Sequence, residues 1–220
     1  MTIDWVADTR ESYDRVAQPY ADFTSGADTT SAYMIGTYGM LAGSCRNDRA
    51  PLRPIVADIG CGPGMWVHLL ATMGVEAIGI DLSPGMIDLA RARSSDARFE
   101  VGSIHDLELP TDGVDGAACM YVLHHLPDDA IDAALDELVR VVRPGGVLLL
   151  GGHIGDTRRV KTEGYGGHPM HVLSLRRPAS LWEAKLRDRG MTIEAHTIYD
   201  PDEDTRTHTL FTRKPAASTH

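Results

Sequence analysis

Paired cysteines, surplus positive charge and long apolar runs are all missing from this sequence. Its three cysteines, Cys45, Cys61 and Cys119, form neither a framework of pairs nor a metal-type repeat, which argues against a disulfide-stapled secreted domain and for a reducing cytosol. Lys and Arg number 21 against 31 Asp and Glu, a formal net charge of −10. That balance offers no broad basic surface to a phosphate backbone, so nucleic-acid partners are disfavoured and a small-molecule partner fits better. No apolar run approaches the length of a bilayer crossing, and Met1 to Trp5 shows no basic segment leading into an apolar core. Neither membrane insertion nor secretion is expected, and a cytoplasmic location follows.

What is present is an ordinary globular composition, 43% apolar and 24% charged over 220 residues, enough for one domain with a sizeable core. Three regions emerge: helical segments and a linker over 1–54, a core over 55–213, and a polar tail over 214–220 expected to be disordered. Tyr13, Val16, Ala17 and Tyr20 fall at helical spacing, with Pro19 breaking the helix near Gln18. Thr29 or Thr30 is placed to cap a second helix carrying Tyr33, Met34, Thr37, Tyr38 and Leu41.

From Ile55 strands and helices alternate, the pattern of a parallel sheet with right-handed crossovers. Strands are predicted over 55–59, 76–80, 98–101, 114–121 and 147–150. Helices lie between them, one carrying Trp66 as core, one capped by Ser83 with Pro84 following, and one capped by Asp128 or Asp129. Residues 151–173, rich in glycine and histidine, read as the longest irregular loop. A last helix over 179–189 precedes strands over 192–198 and 205–213, whose short acidic turn, 200–204, requires antiparallel pairing.

The stretch 56–83 organises the rest. Val56-Ala57-Asp58-Ile59-Gly60-Cys61-Gly62-Pro63-Gly64 reads as a strand into a glycine turn, and Ala77-Ile78-Gly79-Ile80-Asp81 as a strand ending in an acid. Glycines let backbone N–H groups approach a ligand, and a carboxylate about twenty residues on holds ribose hydroxyls. The dinucleotide fingerprint needs a third glycine three positions after the second, where Met65 stands, and an antiparallel ending is unusual for that class. A ligand with an adenosine end and an amino-acid end fits better.

These residues resemble those of the class I S-adenosylmethionine-dependent methyltransferases of small-molecule type, over about residues 12–213. The first motif is Asp58-Ile59-Gly60-Cys61-Gly62-Pro63-Gly64, the second Asp81-Leu82-Ser83-Pro84-Gly85-Met86, and a third centres on Arg143-Pro144-Gly145-Gly146. The opening Ser12-Tyr13-Asp14-Arg15-Val16-Ala17 is similar to that of a group of short bacterial methyltransferases. The resemblance implies a Rossmann-like three-layer α/β sandwich, with a seven-stranded mostly parallel sheet, a C-terminal antiparallel strand pair and an N-terminal helical lid. It implies S-adenosylmethionine as cofactor, S-adenosylhomocysteine as product, a small-molecule methyl acceptor and a setting in secondary metabolism; a homodimer stays open. Asp58, Gly60, Cys61, Gly62 and Gly64 would meet the methionine part, Asp81 the ribose, and Leu82 and Met86 the adenine, with Tyr13 and Tyr20 on the lid. Where many members carry an acid for the adenine amino group, this chain has Gly102-Ser103-Ile104, and a hydroxyl accepts that bond more weakly.

Transfer from a sulfonium is an in-line displacement, so the protein mainly aligns the nucleophile and the methyl group in a dry pocket. Ligands of open α/β sheets sit beyond the carboxyl ends of the strands, which nominates Tyr121, His124, His125 and His153. The resemblance favours His125 as general base, and histidine titrates near neutrality. Tyr121 and His153 join it as catalytic candidates, with His124 and His168 as substrate contacts. No pair has a recognised metal-ligand spacing, so no metal is expected. The segment Cys119-Met120-Tyr121-Val122 lacks the Asn-Pro-Pro-Tyr or Asp-Pro-Pro-Tyr signature of methylation on planar amino groups. Two rival readings are a nicotinamide-dependent oxidoreductase and a non-catalytic cofactor-binding regulator.

Overall fold

The structure, a computed structural model, describes residues 4–25, 32–45, 52–94, 96–200 and 206–217. The expected caps Thr29 and Thr30 lie outside the described residues, as does most of the acidic turn over 200–204.

Three helices come first: α1 (Trp5–Arg15), α2 (Ala17–Thr24) and α3 (Ala32–Ser44). The break between α1 and α2 falls at Val16 and not at Gln18, because Pro19 sits in the first turn of α2, where its missing N–H costs no helical bond. Then follow β1 (Ile55–Ile59), α4 (Met65–Thr72), β2 (Glu76–Asp81), α5 (Pro84–Arg93), β3 (Arg98–Val101), β4 (Val114–Met120), α6 (Ile131–Val141) and β5 (Val142–His153). The chain closes with β6 (Thr157–Gly164), β7 (His168–Arg176), α7 (Ala179–Asp188), β8 (Thr192–Tyr199) and β9 (Thr207–Arg213).

Seven strands make one sheet in the order β3-β2-β1-β4-β5-β9-β8, with β9 antiparallel to both its neighbours. The pairs β1–β2, β1–β4, β2–β3 and β4–β5 are parallel. Chain order reverses between β1 and β4, so the crevice opens at their carboxyl ends, as it does in doubly wound sheets. Every residue of β4 is buried, which fits its apolar run over 117–120 and the glycine at 116, where a Cβ would collide with Cys45; its one charge, Asp115, is paired with Arg143 at 2.6 Å. Helix α6 turns Ile131, Ala134, Leu135, Leu138 and Val141 to the sheet; each of its buried leucines contributes about 2 kcal/mol.

The structure revises several local expectations. Residues 151–173 are not an irregular loop: β5 continues to His153, and β6 and β7 pair as a separate two-stranded antiparallel ribbon turning at Tyr165-Gly166-Gly167. Asp128 and Asp129 do not cap α6; Asp128 holds the buried Arg177 at 2.7 Å and Arg158 at 2.8 Å. Helix α6 gives way to β5 at Val142, five residues before the predicted strand start. Lys214 is fixed, its Nζ donating to Asp112 and to the Val139 and Val142 carbonyls at 2.7–3.0 Å.

Candidate active site

The glycine turn after β1 is shaped by backbone conformations that side chains disfavour. Gly60, Gly62 and Gly64 have φ of 79°, 52° and 78°, and a Cβ on Gly60 would collide with Val122. The turn leaves the Gly62 N–H to Asp81, whose Oδ2 accepts it at 2.8 Å while Oδ1 accepts from the Ser83 N–H at 2.9 Å. Both oxygens retain a further lone pair. Burial raises the Asp81 carboxyl above its ordinary range, opposed by those two N–H groups.

Asp58 lies under the same turn, 2% exposed, and accepts from the Tyr38 hydroxyl through Oδ1 at 3.1 Å. Its Oδ2 is buried without a hydrogen-bond partner. Burial pushes its pKa up to about 7, with Tyr38 pulling the other way and Asp81 adding repulsion. An orphaned carboxylate oxygen in a cavity wall is an acceptor waiting for a donor. Trp66, assigned to the core by its spacing, stacks on Tyr38 at 4.9 Å and lines this end of the cavity. Cys61 also lines it, its thiol pushed up by burial and hence no thiolate nucleophile.

The lid is tied down by named bonds. Asp14 Oδ1 accepts from Ser83 Oγ at 2.5 Å and from the Gly85 N–H at 2.9 Å, joining α1 to the start of α5. On its other side Ser12 Oγ accepts from the His171 N–H at 2.8 Å, and Arg15 donates to the Pro169 carbonyl on β7. This clamp seats Tyr13 and Tyr20 over the crevice, their rings edge-on at 5.9 Å.

Beyond β4 the chain passes through Tyr121, with a left-handed φ of 60°, into a short 3₁₀ turn over Leu123–His125. For a residue with a bulky side chain that conformation costs roughly 1–2 kcal/mol, and it sets the Tyr121 ring at the cavity wall against His153 at 5.1 Å. His125 is buried, with Nδ1 2.6 Å from the Leu173 carbonyl and Nε2 2.8 Å from the Tyr13 hydroxyl. A carbonyl only accepts, so Nδ1 carries the proton, and Nε2 is the acceptor for Tyr13. Burial lowers the His125 pKa to about 4 and keeps the ring neutral.

Together these groups line a cavity of about 1150 Å³, open mouth included. It gathers Tyr13, Tyr20, Asp58, Gly60, Cys61, Gly62, Asp81, Leu82, Met86, Gly102, Ser103, Ile104, Tyr121 and His125. Gly64 is buried just behind, where a Cβ would press on Ala90. Three further residues predicted by sequence do not reach this cavity wall. His124 and His153 sit behind Tyr121, their rings 5.5 Å apart, and His168 is exposed at the start of β7. Ser103 Oγ faces its own loop, accepting from the His105 N–H at 3.4 Å. Sequence reasoning missed Trp5, Thr9, Arg10 and Tyr38 as wall residues, since only the folded lid brings them to the nucleoside motifs. Among the described residues no group of His, Cys, Asp and Glu is arranged to hold a metal ion, and no helix is long and apolar enough to cross a membrane.

Comparison with known proteins agrees with this geometry. Residues 56–146 match the family described as "Methyltransferase domain". The chain is 38% identical over 92 residues to a malonyl-[acyl-carrier protein] O-methyltransferase of Serratia marcescens, covering 42% of this chain and 35% of that one. It is 34% identical over 112 residues to a ubiquinone biosynthesis O-methyltransferase of Xanthomonas oryzae, covering 49% and 45%. The matched segment thus spans less than half the length of these relatives. Among solved structures, the Burkholderia thailandensis 1,6-didemethyltoxoflavin-N1-methyltransferase, bound to 1,6-didemethyltoxoflavin and S-adenosylhomocysteine, superposes with a TM-score of 0.74 at 19% identity, over 98% of this chain and 92% of that one. The magnesium protoporphyrin IX methyltransferase of Synechocystis gives 0.70 at 17%, over 97% and 98%. Residues 56–146 thus resemble a methyltransferase domain, and the fold is the one shared by these solved methyltransferases.

Proposed function

We propose that this protein moves the methyl group of S-adenosylmethionine to an oxygen, nitrogen or carbon atom of a small metabolite and releases S-adenosylhomocysteine. The observation that carries this reading is the pairing of two carboxylates across one glycine turn: Asp81, braced by two N–H groups with lone pairs to spare, and Asp58, with an orphaned Oδ2. The first suits a ribose diol and the second an amino-acid ammonium, and a nicotinamide dinucleotide has no ammonium to offer. The sulfonium supplies a methyl carbon already activated: the carbon–sulfur bond breaks with its electrons passing to sulfur, the acceptor atom bonds the carbon, and any acceptor proton leaves.

The chain's own work is positional. Tyr13 and Tyr20 close the crevice and exclude water, with 1–54 serving as lid and 55–213 as core. His125 is the proposed proton acceptor through Nε2 once Tyr13 yields that position, its Nδ1–H anchored on Leu173. Tyr121 contacts both cofactor and acceptor, with His124, His153 and His168 on the acceptor side. Small-molecule acceptors are supported by the acidic charge balance and by the ubiquinone and toxoflavin methyltransferases that share the domain or the fold. Three buried free thiols fit a cytoplasmic setting.

Calorimetric titration with S-adenosylhomocysteine and with NAD tests the cofactor: saturable binding of NAD alone sinks the reading. Labelled S-adenosylmethionine with a metabolite panel then separates an enzyme from a non-catalytic binder.

A further inference from the structure

The ribbon β6–β7 carries a concentration of positive charge that the rest of this acidic chain does not explain. Thr157 pairs with Arg176, Arg159 with Ser174 and Lys161 with Val172. Opposed residues of an antiparallel pair share a face, as do alternate residues along a strand, so Arg159, Lys161, Arg176 and Ser174 all lie on the face of Val172. Val172 and Met170 are buried against Val16 with Tyr13, Tyr20 and Tyr165 around them, so this face turns toward the aromatic wall of the cavity.

Neighbouring ribbon cations have obvious partners. Arg158 and Arg177 are both bound to Asp128. Arg159 and Lys161 form no ion pair among the described residues; Lys161 is half-buried with Nζ 4.2 Å from the centre of the Tyr165 ring. Beside them stand His124 and His153, both held neutral by burial first; Arg176 and Lys161 come next for His153, and for His124 they follow the neighbouring His125 and His153. His153 Nδ1 is buried without a hydrogen-bond partner. Arg159 and Lys161, standing beside buried imidazoles, form a site short of one component.

The place of this site says what the component is for. Tyr121 lines the cofactor cavity and touches His153 at 5.1 Å; Tyr20 lines it and touches Tyr165 at 5.0 Å. The two cavity-wall tyrosines are therefore also the border of the cationic face. We infer that this face recognises the methyl acceptor, and that the acceptor is a small metabolite bearing an oxyanion group, held by Lys161 and Arg159 with His153 donating beside them. The inference rests on the methyl-transfer reading above and narrows its acceptor to anions.

The test titrates the protein saturated with S-adenosylhomocysteine, by calorimetry, with 3,4-dihydroxybenzoate, its neutral amide 3,4-dihydroxybenzamide, and phenyl phosphate. At least one anion is expected to bind saturably, with the amide about tenfold or more weaker, as loss of a charge-assisted bond requires. Preference between carboxylate and phosphate identifies which oxyanion the site takes. Lys161→Gln with Arg159→Gln is expected to reduce anion affinity by about tenfold or more while S-adenosylhomocysteine binds as before, since neither residue lines its cavity. The inference is overturned if neither anion binds, if the amide binds as well as the acids, or if the double variant keeps full anion affinity. Failure of S-adenosylhomocysteine itself to bind wild-type protein is a different result, and defeats the methyl-transfer reading instead.

Discussion

The Tyr13 hydroxyl donates to Nε2 of His125 at 2.8 Å while the opposite ring nitrogen is fixed on the Leu173 carbonyl at 2.6 Å, so the lid, the turn after β4 and the ribbon meet on one imidazole. Its tautomer is set by the ribbon, and access to its basic nitrogen is set by the lid. An acceptor that reaches Nε2 has to displace Tyr13.

His125→Ala is expected to lower kcat by about 10²–10⁴, the usual worth of a positioned base, with S-adenosylhomocysteine affinity unchanged. Tyr13→Phe keeps the ring's anchor on Leu173 and is expected to cost less. Steady-state kinetics with calorimetry on both variants checks this; unchanged turnover in His125→Ala reduces the histidine to packing.

Asp58, with a pKa of about 7, carries its proton below neutrality in the ligand-free protein. An ammonium placed against Oδ2 favours the ionised carboxylate, so cofactor binding at pH 6 is expected to release about one proton, and at pH 8 much less. Calorimetry in buffers of different ionisation enthalpy reads the release directly. Asp58→Asn removes it if the assignment is right; equal release from wild type and variant places the proton elsewhere.

Asp14 links the lid to the start of α5 by hydrogen bonds, accepting from both Ser83 Oγ and the Gly85 N–H. Asp14→Ala is expected to loosen closure, raising the dissociation rate of S-adenosylhomocysteine several-fold, the order expected from losing an accepted hydrogen bond. Stopped-flow release experiments measure it, and wild-type kinetics in the variant mean that the Ser12 and Arg15 contacts hold the lid alone.

Acid should weaken the fold well above the carboxylate range. Burial lowers His125, His153 and His208 to about 4 each, while an unfolded histidine titrates near 6.5. Between about pH 6.5 and 4 the unfolded chain takes up protons that these folded imidazoles refuse, so their stability is present above that window and lost on descending it. Asp58 acts oppositely, its raised pKa favouring the fold at low pH and losing that contribution as pH rises through 7. His124 is lowered by burial as well and Asp81 raised, so four imidazoles oppose two carboxylates and the thermal midpoint is expected to fall steadily from pH 6.5 to 4. A midpoint that rises on acidification would give the carboxylates the larger share.

The glycine turn and the acid that faces it were legible because their geometry is local. A strand, a turn whose glycines take left-handed φ, and an acid at the end of the next strand are adjacent in sequence by geometric necessity, so Gly60, Gly62 and Asp81 could be read directly. Trp66 packs against the core as expected and also lines the cavity, because helical spacing reports which face a residue occupies and not everything that borders that face. Residues 151–173 were read as loop because Val160 is the one apolar side chain of β6 and the strand pair is exposed over much of its length, so no apolar period marks it.

By itself, then, the sequence determined the parallel sheet, its reversal into an antiparallel ending and the adenosine-binding turn, all products of short-range periodicity and backbone sterics. Only the tertiary structure decided which histidine faces the cavity, that Tyr13 covers it, that Tyr38 leaves one oxygen of Asp58 unpaired, and that three cations gather on one face of the ribbon. Those relationships join residues as many as 112 positions apart, and no local pattern encodes a contact made when separate elements pack.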